Sequence, residues 1–242
     1  MARIFITGSA DGLGQLSAQW LIKQGHRVVL HARNESRGKE ALIKIPGAEA
    51  VVTADLSVLE EIKELATKVN QLGRFDSIIH NAGVYQASGR EILTINTIAP
   101  YILSCLIHKP QRLIYLSSGL HKQGTVNLNG INTGNISYSD SKLHVVMLAK
   151  IIARKWSGVY ANAVDPGWVP TKMGGKNAPD DLTKGYETQT WLAVSEDQSV
   201  KVSGRYFFHQ KERSYNTLAD DVAEQEKLLM VLTNLTAVSF PI

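Results

Sequence analysis

The feature that most constrains this chain stands at its start. A short apolar strand, Ile4–Thr7, runs into Gly8-Ser9-Ala10-Asp11-Gly12-Leu13-Gly14 and then into a helical pattern, Gly12–Gln24. Glycines allow a sharp turn and a close backbone approach, and a helix N-terminus offers free N–H groups and partial positive charge. A strand, a glycine turn and a helix in that order therefore suit a phosphate. Leu13, Leu16, Trp20 and Leu21 share one helix face, and Gly25 supplies the stop. The same unit recurs. Strands are expected at Arg27–His31, Ala50–Thr53, Ser77–His80, Arg112–Leu116, Tyr160–Val164 and Gly204–Phe208. Helices are expected at Ser36–Lys44, Val58–Asn70, Glu91–Ile107, Ser137–Trp156, Leu182–Ser195 and Ala219–Leu235. Such alternation needs crossovers, so the pattern predicts one doubly wound α/β domain over 1–242, its parallel sheet covered on both faces.

The 242 residues, 44% of them apolar, suffice for one large core and exclude a disordered chain. Lys and Arg exceed Asp and Glu by 26 to 22, a net +4 scattered along the chain. That predicts no nucleic-acid or membrane partner and leaves room for a small anion. The single Cys105 has no intramolecular partner, which favours a reducing compartment. Met1-Ala2-Arg3 leads straight into the strand, so no leader is expected. The central apolar stretch without formal charge, Ile92 to Ile107, falls short of the roughly 18–20 apolar residues that cross a bilayer. A cytoplasmic protein is the expectation.

The turn Thr7-Gly8-x-x-x-Gly12-x-Gly14 resembles the T-G-x-x-x-G-x-G signature of the short-chain dehydrogenase/reductase family. Tyr138-Ser139-Asp140-Ser141-Lys142 resembles its Y-x-x-x-K motif, and Asn81-Ala82-Gly83 its N-A-G motif. Asp55-Leu56 resembles its adenine-contacting pair. Asn96, Ser117-Ser118 and Pro166-Gly167 follow in family order. The Ser117–His121 segment, with a long stretch before Tyr138, is most similar to the retinol-dehydrogenase and carbonyl-reductase branch. The resemblance implies a Rossmann-like sheet of seven strands and NAD(P)-dependent carbonyl/alcohol chemistry.

Carbonyl reduction needs a hydride donor, a proton donor and a group that holds the oxygen. Tyr138 and Lys142 fall on one helix face. A phenol normally titrates near pH 10, and a neighbouring ammonium would lower that value. By the resemblance, Tyr138 is the acid/base, Lys142 tunes it and holds the nicotinamide ribose, Ser118 donates to the substrate oxygen, and Asn96 positions a relay water. The implied cofactor contacts are Gly8, Ser9, Asp11, Gly12, Leu13 and Gly14, then Asp55, Leu56, Asn81, Ala82 and Gly83. Tyr138, Lys142, Pro166, Gly167, Val169 and Thr171 complete them. No metal is assigned.

At the end of the second strand, His31-Ala32-Arg33-Asn34 offers no acid for a ribose diol. Arg33, assisted by Arg37, suits a 2′-phosphate through its fixed fork of donors, so NADP(H) is expected. Asp11 dissents, because NADP-preferring relatives often carry a base inside the turn. A solvated strand-end arginine is the alternative reading. Val84, Tyr85, Leu120, Trp168 and Met173 are the candidate lining of a pocket for an apolar carbonyl or alcohol, with His121 a further candidate. Lys109-Pro110 cuts short the helix that builds the dimer face in many relatives, which leaves a homo-oligomer open. A non-enzymatic NADP(H) sensor is the rival reading. An epimerase-type enzyme is disfavoured by the glycine spacing.

Overall fold

The structure, a computed structural model, describes residues 1–241. Strands β1 (Arg3–Ile6), β2 (Arg27–Ala32), β3 (Ala50–Thr53), β4 (Ser77–His80), β5 (Arg112–Leu116), β6 (Tyr160–Asp165) and β7 (Tyr206–Phe208) run parallel. The sheet order is β3-β2-β1-β4-β5-β6-β7-β8. The expected seven-stranded parallel sheet is thus corrected by one strand. β8 (Lys211–Glu212) pairs antiparallel with β7 through a turn in which His209 and Gln210 both take positive φ, 48° and 59°. Two left-handed residues make the hairpin turn that Asn-Gly usually marks.

Side chains alternate across the sheet, which sorts them into two cores. Phe5, Val29, Ile78, Leu113 and Tyr115 face one side. Ile4, Ile6, Val28, Leu30, Ile79, Ile114 and Leu116 face the other. Burying each such large side chain contributes roughly 1.5–3 kcal/mol relative to exposure. Helices α1 (Gly12–Lys23), α2 (Glu35–Lys44) and α3 (Leu59–Gln71) link the first four strands. α7 (Tyr138–Lys155) is buried along most of its length, and α8 (Leu182–Val194) packs on α1 across the other face.

The expected single helix Glu91–Ile107 is three pieces: α4 (Gly89–Ile92), a π-helical step Leu93–Ile98, and α5 (Ala99–Leu106). The segment before Tyr138 carries a 3₁₀ turn (Gly119–Gln123) and a short α6 (Leu128–Thr133). α9 (Val222–Thr236) is capped by Asp221. The segment after it folds over the end of α5 and α7: Val238 O accepts from the Tyr101 hydroxyl at 2.7 Å, and Pro241 O accepts from the Trp156 indole at 2.8 Å. α5 ends three residues before the Lys109-Pro110 pair, and Lys109 lies 4.5 Å over the Trp156 ring. No helix among the described residues is long and apolar enough to cross a membrane.

Candidate active site

The strand order reverses its direction of growth between β1 and β4. In open α/β sheets the crevice beyond the strand ends at such a point takes the ligand. Here Thr7 follows β1, and its Oγ1 accepts from the N–H groups of Asn81 and Ala82, both at 3.0 Å. Asn81 Nδ2 donates back to the carbonyls of Thr7 at 2.9 Å and Gly8 at 3.1 Å. The Asn-Ala-Gly segment thus clamps the glycine turn from the neighbouring strand.

The glycines of the turn have separate duties. Gly12 takes φ +55° with open space where a Cβ would stand, so its backbone faces an unfilled cradle at the N-terminus of α1. A Cβ on Gly14 would lie 2.5 Å from Asn81 Nδ2 and 2.6 Å from Gly8 O, so Gly14 serves packing. Gly14 and Ser9 do not line the cleft; Ser9 Oγ donates to Ile6 O at 2.9 Å and accepts from His31 N at the same distance.

The cleft encloses about 420 Å³ and is lined by Gly8, Asp11, Gly12, Leu13, Asp55, Leu56, Asn81, Ala82, Gly83, Tyr138, Lys142, Pro166 and Thr171 among others. Val84, expected in the substrate pocket, lines this cleft instead. A hollow of about 640 Å³ adjoins the end of β2, walled by Arg33, Asn34, Arg37, Asp55 and Glu61. Arg33 Nε donates to Asp55 at 2.8 Å while 73% exposed, a surface pair that rearranges at little cost. Asn34 caps α2, accepting from Arg37 N at 3.0 Å. Asp11 caps α1 by accepting from Gly12 N at 2.8 Å, and also pairs with Arg37 at 3.2 Å and with Lys172. Burial pushes the Asp11 carboxyl up, but Lys172, the Gly12 N–H and Arg37 outweigh it and hold the group below its usual range. Asp11 therefore gathers two cations over the turn, which reconciles an acid there with an anionic ligand. The open Gly12 backbone, the helix terminus and the paired guanidinium groups fit a dinucleotide.

Beyond Tyr138 the cleft meets a second cavity of about 640 Å³, lined by Tyr85, Ser118, Leu120, Trp168 and Met173, with Gly167 and Val169. Tyr138 opens α7, with Ser137 and Asp140 forming a capping box behind it. Burial pushes the Tyr138 phenol up to about 12; the Ser118 hydroxyl beside it pulls back, and Asp165 and Tyr85 add to the rise. Lys142 is buried, donates to Leu116 O at 2.8 Å, and lies 5.4 Å from the Tyr138 ring centre. Burial pushes its ammonium down to about 8, against the pull of Asp165. The lysine is directed to a strand-end carbonyl, and burial is the largest influence on the phenol.

Asn96 lies in the π-helical step, fully buried. Its Oδ1 accepts from Val84 N at 2.8 Å, and its Nδ2 donates to Val84 O at 2.9 Å and Ser141 Oγ at 3.1 Å. A Cβ on Gly83 would stand 3.3 Å from Lys142 Nζ and 3.4 Å from Asn96 Oδ1, so that glycine lets the two side chains converge. π-Helical steps concentrate at functional sites.

Three residues went unanticipated at this site. His31 is buried, accepts the Gly8 N–H at Nδ1 (2.9 Å), and so carries its proton on Nε2, which donates to Ala54 O at 3.0 Å. Lys172 and Asp165 were the others. His121 does not reach the cavity. Its Nε2 accepts from Asn216 N at 3.2 Å and its Nδ1 donates to Ser118 O at 2.7 Å, holding the serine turn from below.

A doubly wound sheet with a glycine turn and a Ser–Tyr–Lys cluster at its switch point defines a dinucleotide-dependent oxidoreductase. Known proteins agree. The family model described as short chain dehydrogenase matches residues 2–105. An uncharacterized oxidoreductase of Emericella nidulans is 43% identical over 100% of this chain and 99% of its own length. The short-chain dehydrogenase chry4 of Gibberella zeae is 38% identical over 100% and 99%. Retinol dehydrogenase 14 of Homo sapiens is 28% identical over 93% and 83%. A crystal structure of an uncharacterized protein from Mycobacterium paratuberculosis superposes with a TM-score of 0.80 at 21% identity, over 100% of this chain and 96% of that one. The chain belongs to the short-chain dehydrogenase/reductase family, whose members are oxidoreductases that transfer hydride with a nicotinamide cofactor.

Proposed function

We propose that the protein is an NADP(H)-dependent oxidoreductase that reduces the carbonyl of a small, largely apolar compound, with Tyr138 as proton donor. One observation carries the reading: Tyr138 stands where the cleft of the glycine turn meets the second cavity, with Ser118 beside it and Lys142 behind. The bound nicotinamide supplies the hydride. Ser118 donates a hydrogen bond to the substrate oxygen, where charge develops in the transition state. Tyr138 delivers the proton to the forming alkoxide. A phenol held up to about 12 enters the reaction protonated at neutral pH, which suits reduction; alcohol oxidation demands its loss and is favoured by alkali. Lys142 stands behind the phenol as the next proton carrier. The Asn96 side chain is committed to Val84 and Ser141, so it shapes the relay by fixing the loop and the π-helical step.

The NADP(H) preference is supported by the absence of an acid at the end of β2 and by the Arg33–Arg37 hollow, where guanidinium forks match a 2′-phosphate. The test is NADPH oxidation over a panel of ketones and aldehydes, with KM compared for NADPH and NADH. Turnover with the lower KM for NADPH supports the reading; cofactor binding without turnover across the panel would favour a sensor.

A further inference from the structure

The cavity on the substrate side of Tyr138 carries charge of one sign. Asp165 and Asp180 line it, and no lysine, arginine or histidine does so among the described residues. Asp165 ends β6 next to Ser118's turn: a Cβ on Gly119 would stand 3.2 Å from its Oδ2. Oδ1 accepts from Gly167 N at 2.9 Å, and the Tyr206 hydroxyl also faces the carboxylate, whose remaining lone pairs stay open. Asp180 is engaged at the opposite wall, where its Oδ2 accepts from Trp168 N at 2.6 Å. Each carboxylate thus keeps one oxygen that accepts no backbone N–H, and Asp165 is the one whose charge acts on Tyr138.

The rest of the wall is aromatic and apolar. Tyr85 packs edge-on against Tyr138 with ring centres 4.8 Å apart. Trp168 is pinned by its indole N–H to Gly174 O at 2.7 Å, yet leaves 59% of itself exposed. Aromatic faces attract cations, and a carboxylate between low-dielectric walls acts more strongly than in water. Among the described residues no cation lines the cavity itself: Lys172 is tied to Asp11, and Lys142, which the Asp165 carboxylate attracts from across the Tyr138 ring, donates to Leu116 O.

We propose that this cavity selects ring-bearing carbonyl compounds that carry a positive charge, such as a protonated or quaternary amine, and rejects carboxylates. The inference rests on the reading of the site as a carbonyl-reducing centre. Three ketones of one shape test it: acetophenone and its 4-trimethylammonio and 4-carboxy derivatives, with NADPH oxidation followed for each. The kcat/KM of the cation exceeds that of the carboxylate by at least about tenfold, the scale of a charge contact in a partly desolvated site. Asp165→Asn shrinks that ratio at least about threefold. Comparing two ketones in one protein cancels any loss of turnover that the substitution causes through Tyr138. A wild-type ratio near one, a faster carboxylate, or a ratio unchanged by Asp165→Asn would overturn the proposal. Turnover of acetophenone reports separately on the underlying reading. If all three ketones are inert, that reading fails for them, and the charge preference is measured as binding to the NADP⁺-loaded protein by tryptophan quenching. Tighter binding of the cation then sustains the proposal; equal or tighter binding of the carboxylate overturns it.

Discussion

His31 joins two parts of the cofactor cleft that are far apart in sequence, and replacing it isolates that linkage. In His31→Ala the Gly8 N–H loses its acceptor and the Ala54 carbonyl its donor, in a site only 3% exposed. Each buried polar group left unpaired costs about 1–3 kcal/mol, so roughly 2–4 kcal/mol is removed from the bound, ordered turn after partial relaxation. Where the turn is otherwise mobile, most of that appears in cofactor affinity, a rise in the NADPH Kd of about tenfold or more. The assay is an NADPH fluorescence titration, run beside urea unfolding with and without NADPH. The kcat at saturating NADPH stays near wild type, because the imidazole is remote from Tyr138. The pH dependence follows from the same geometry. Nδ1 accepts a hydrogen bond, so only the neutral ring fits, and burial pushes His31 down to about 4. The unfolded chain therefore binds the extra proton first, and stability present above about pH 6.5 is lost as pH falls toward 4. For His31 alone this is on the order of 3 kcal/mol. An NADPH Kd within twofold of wild type together with an unchanged unfolding midpoint would refute this reasoning.

Other outcomes are equally direct. Arg33→Ala raises KM for NADPH about tenfold, the low end for a charge-assisted pair given the exposure of Arg33, and leaves KM for NADH unchanged; an unaltered cofactor preference would count against the 2′-phosphate site. Gly14→Ala puts a Cβ against Asn81 and the Gly8 carbonyl, and lowers stability by about 1–3 kcal/mol in urea unfolding. Asn96→Ala leaves both backbone groups of Val84 unpaired, lowering the thermal midpoint as well as kcat, with NADPH affinity retained. Alcohol oxidation by the wild type climbs with pH well into the alkaline range, because the Tyr138 proton must leave a phenol held up to about 12; a flat profile from pH 7 to 10 would contradict that assignment.

The parts of the site legible in the sequence are those built from neighbouring residues. The Gly8–Gly14 turn, the Tyr138–Lys142 spacing and the strand ends at Asn81, Ser118 and Pro166 each carry their chemistry within a few positions. What escaped depends on distance along the chain or on unusual backbone. His31 matters because β2 lies beside β1 and β3, so one ring spans Gly8 and Ala54. Lys172 and Asp11 meet only because the loop after β6 folds back over the turn. Asp165 reads as an ordinary residue before Pro-Gly until the fold sets it against Gly119. The eighth strand was missed because His209 and Gln210 adopt the left-handed turn without the glycine or asparagine that marks it. The helix around Asn96 was expected as one regular piece, since a π-helical step preserves helical spacing closely enough to hide in the pattern.

The central claim is that Tyr138 delivers the proton, and Tyr138→Phe tests it most directly. The phenol lies between cleft and cavity, so removing one oxygen leaves the packing of Tyr85 and Lys142 around the ring in place. The account predicts an NADPH Kd within about twofold of wild type and a kcat at least about a hundredfold lower, the lower range for loss of general acid–base catalysis. A variant that reduces its ketone at close to the wild-type rate would contradict it.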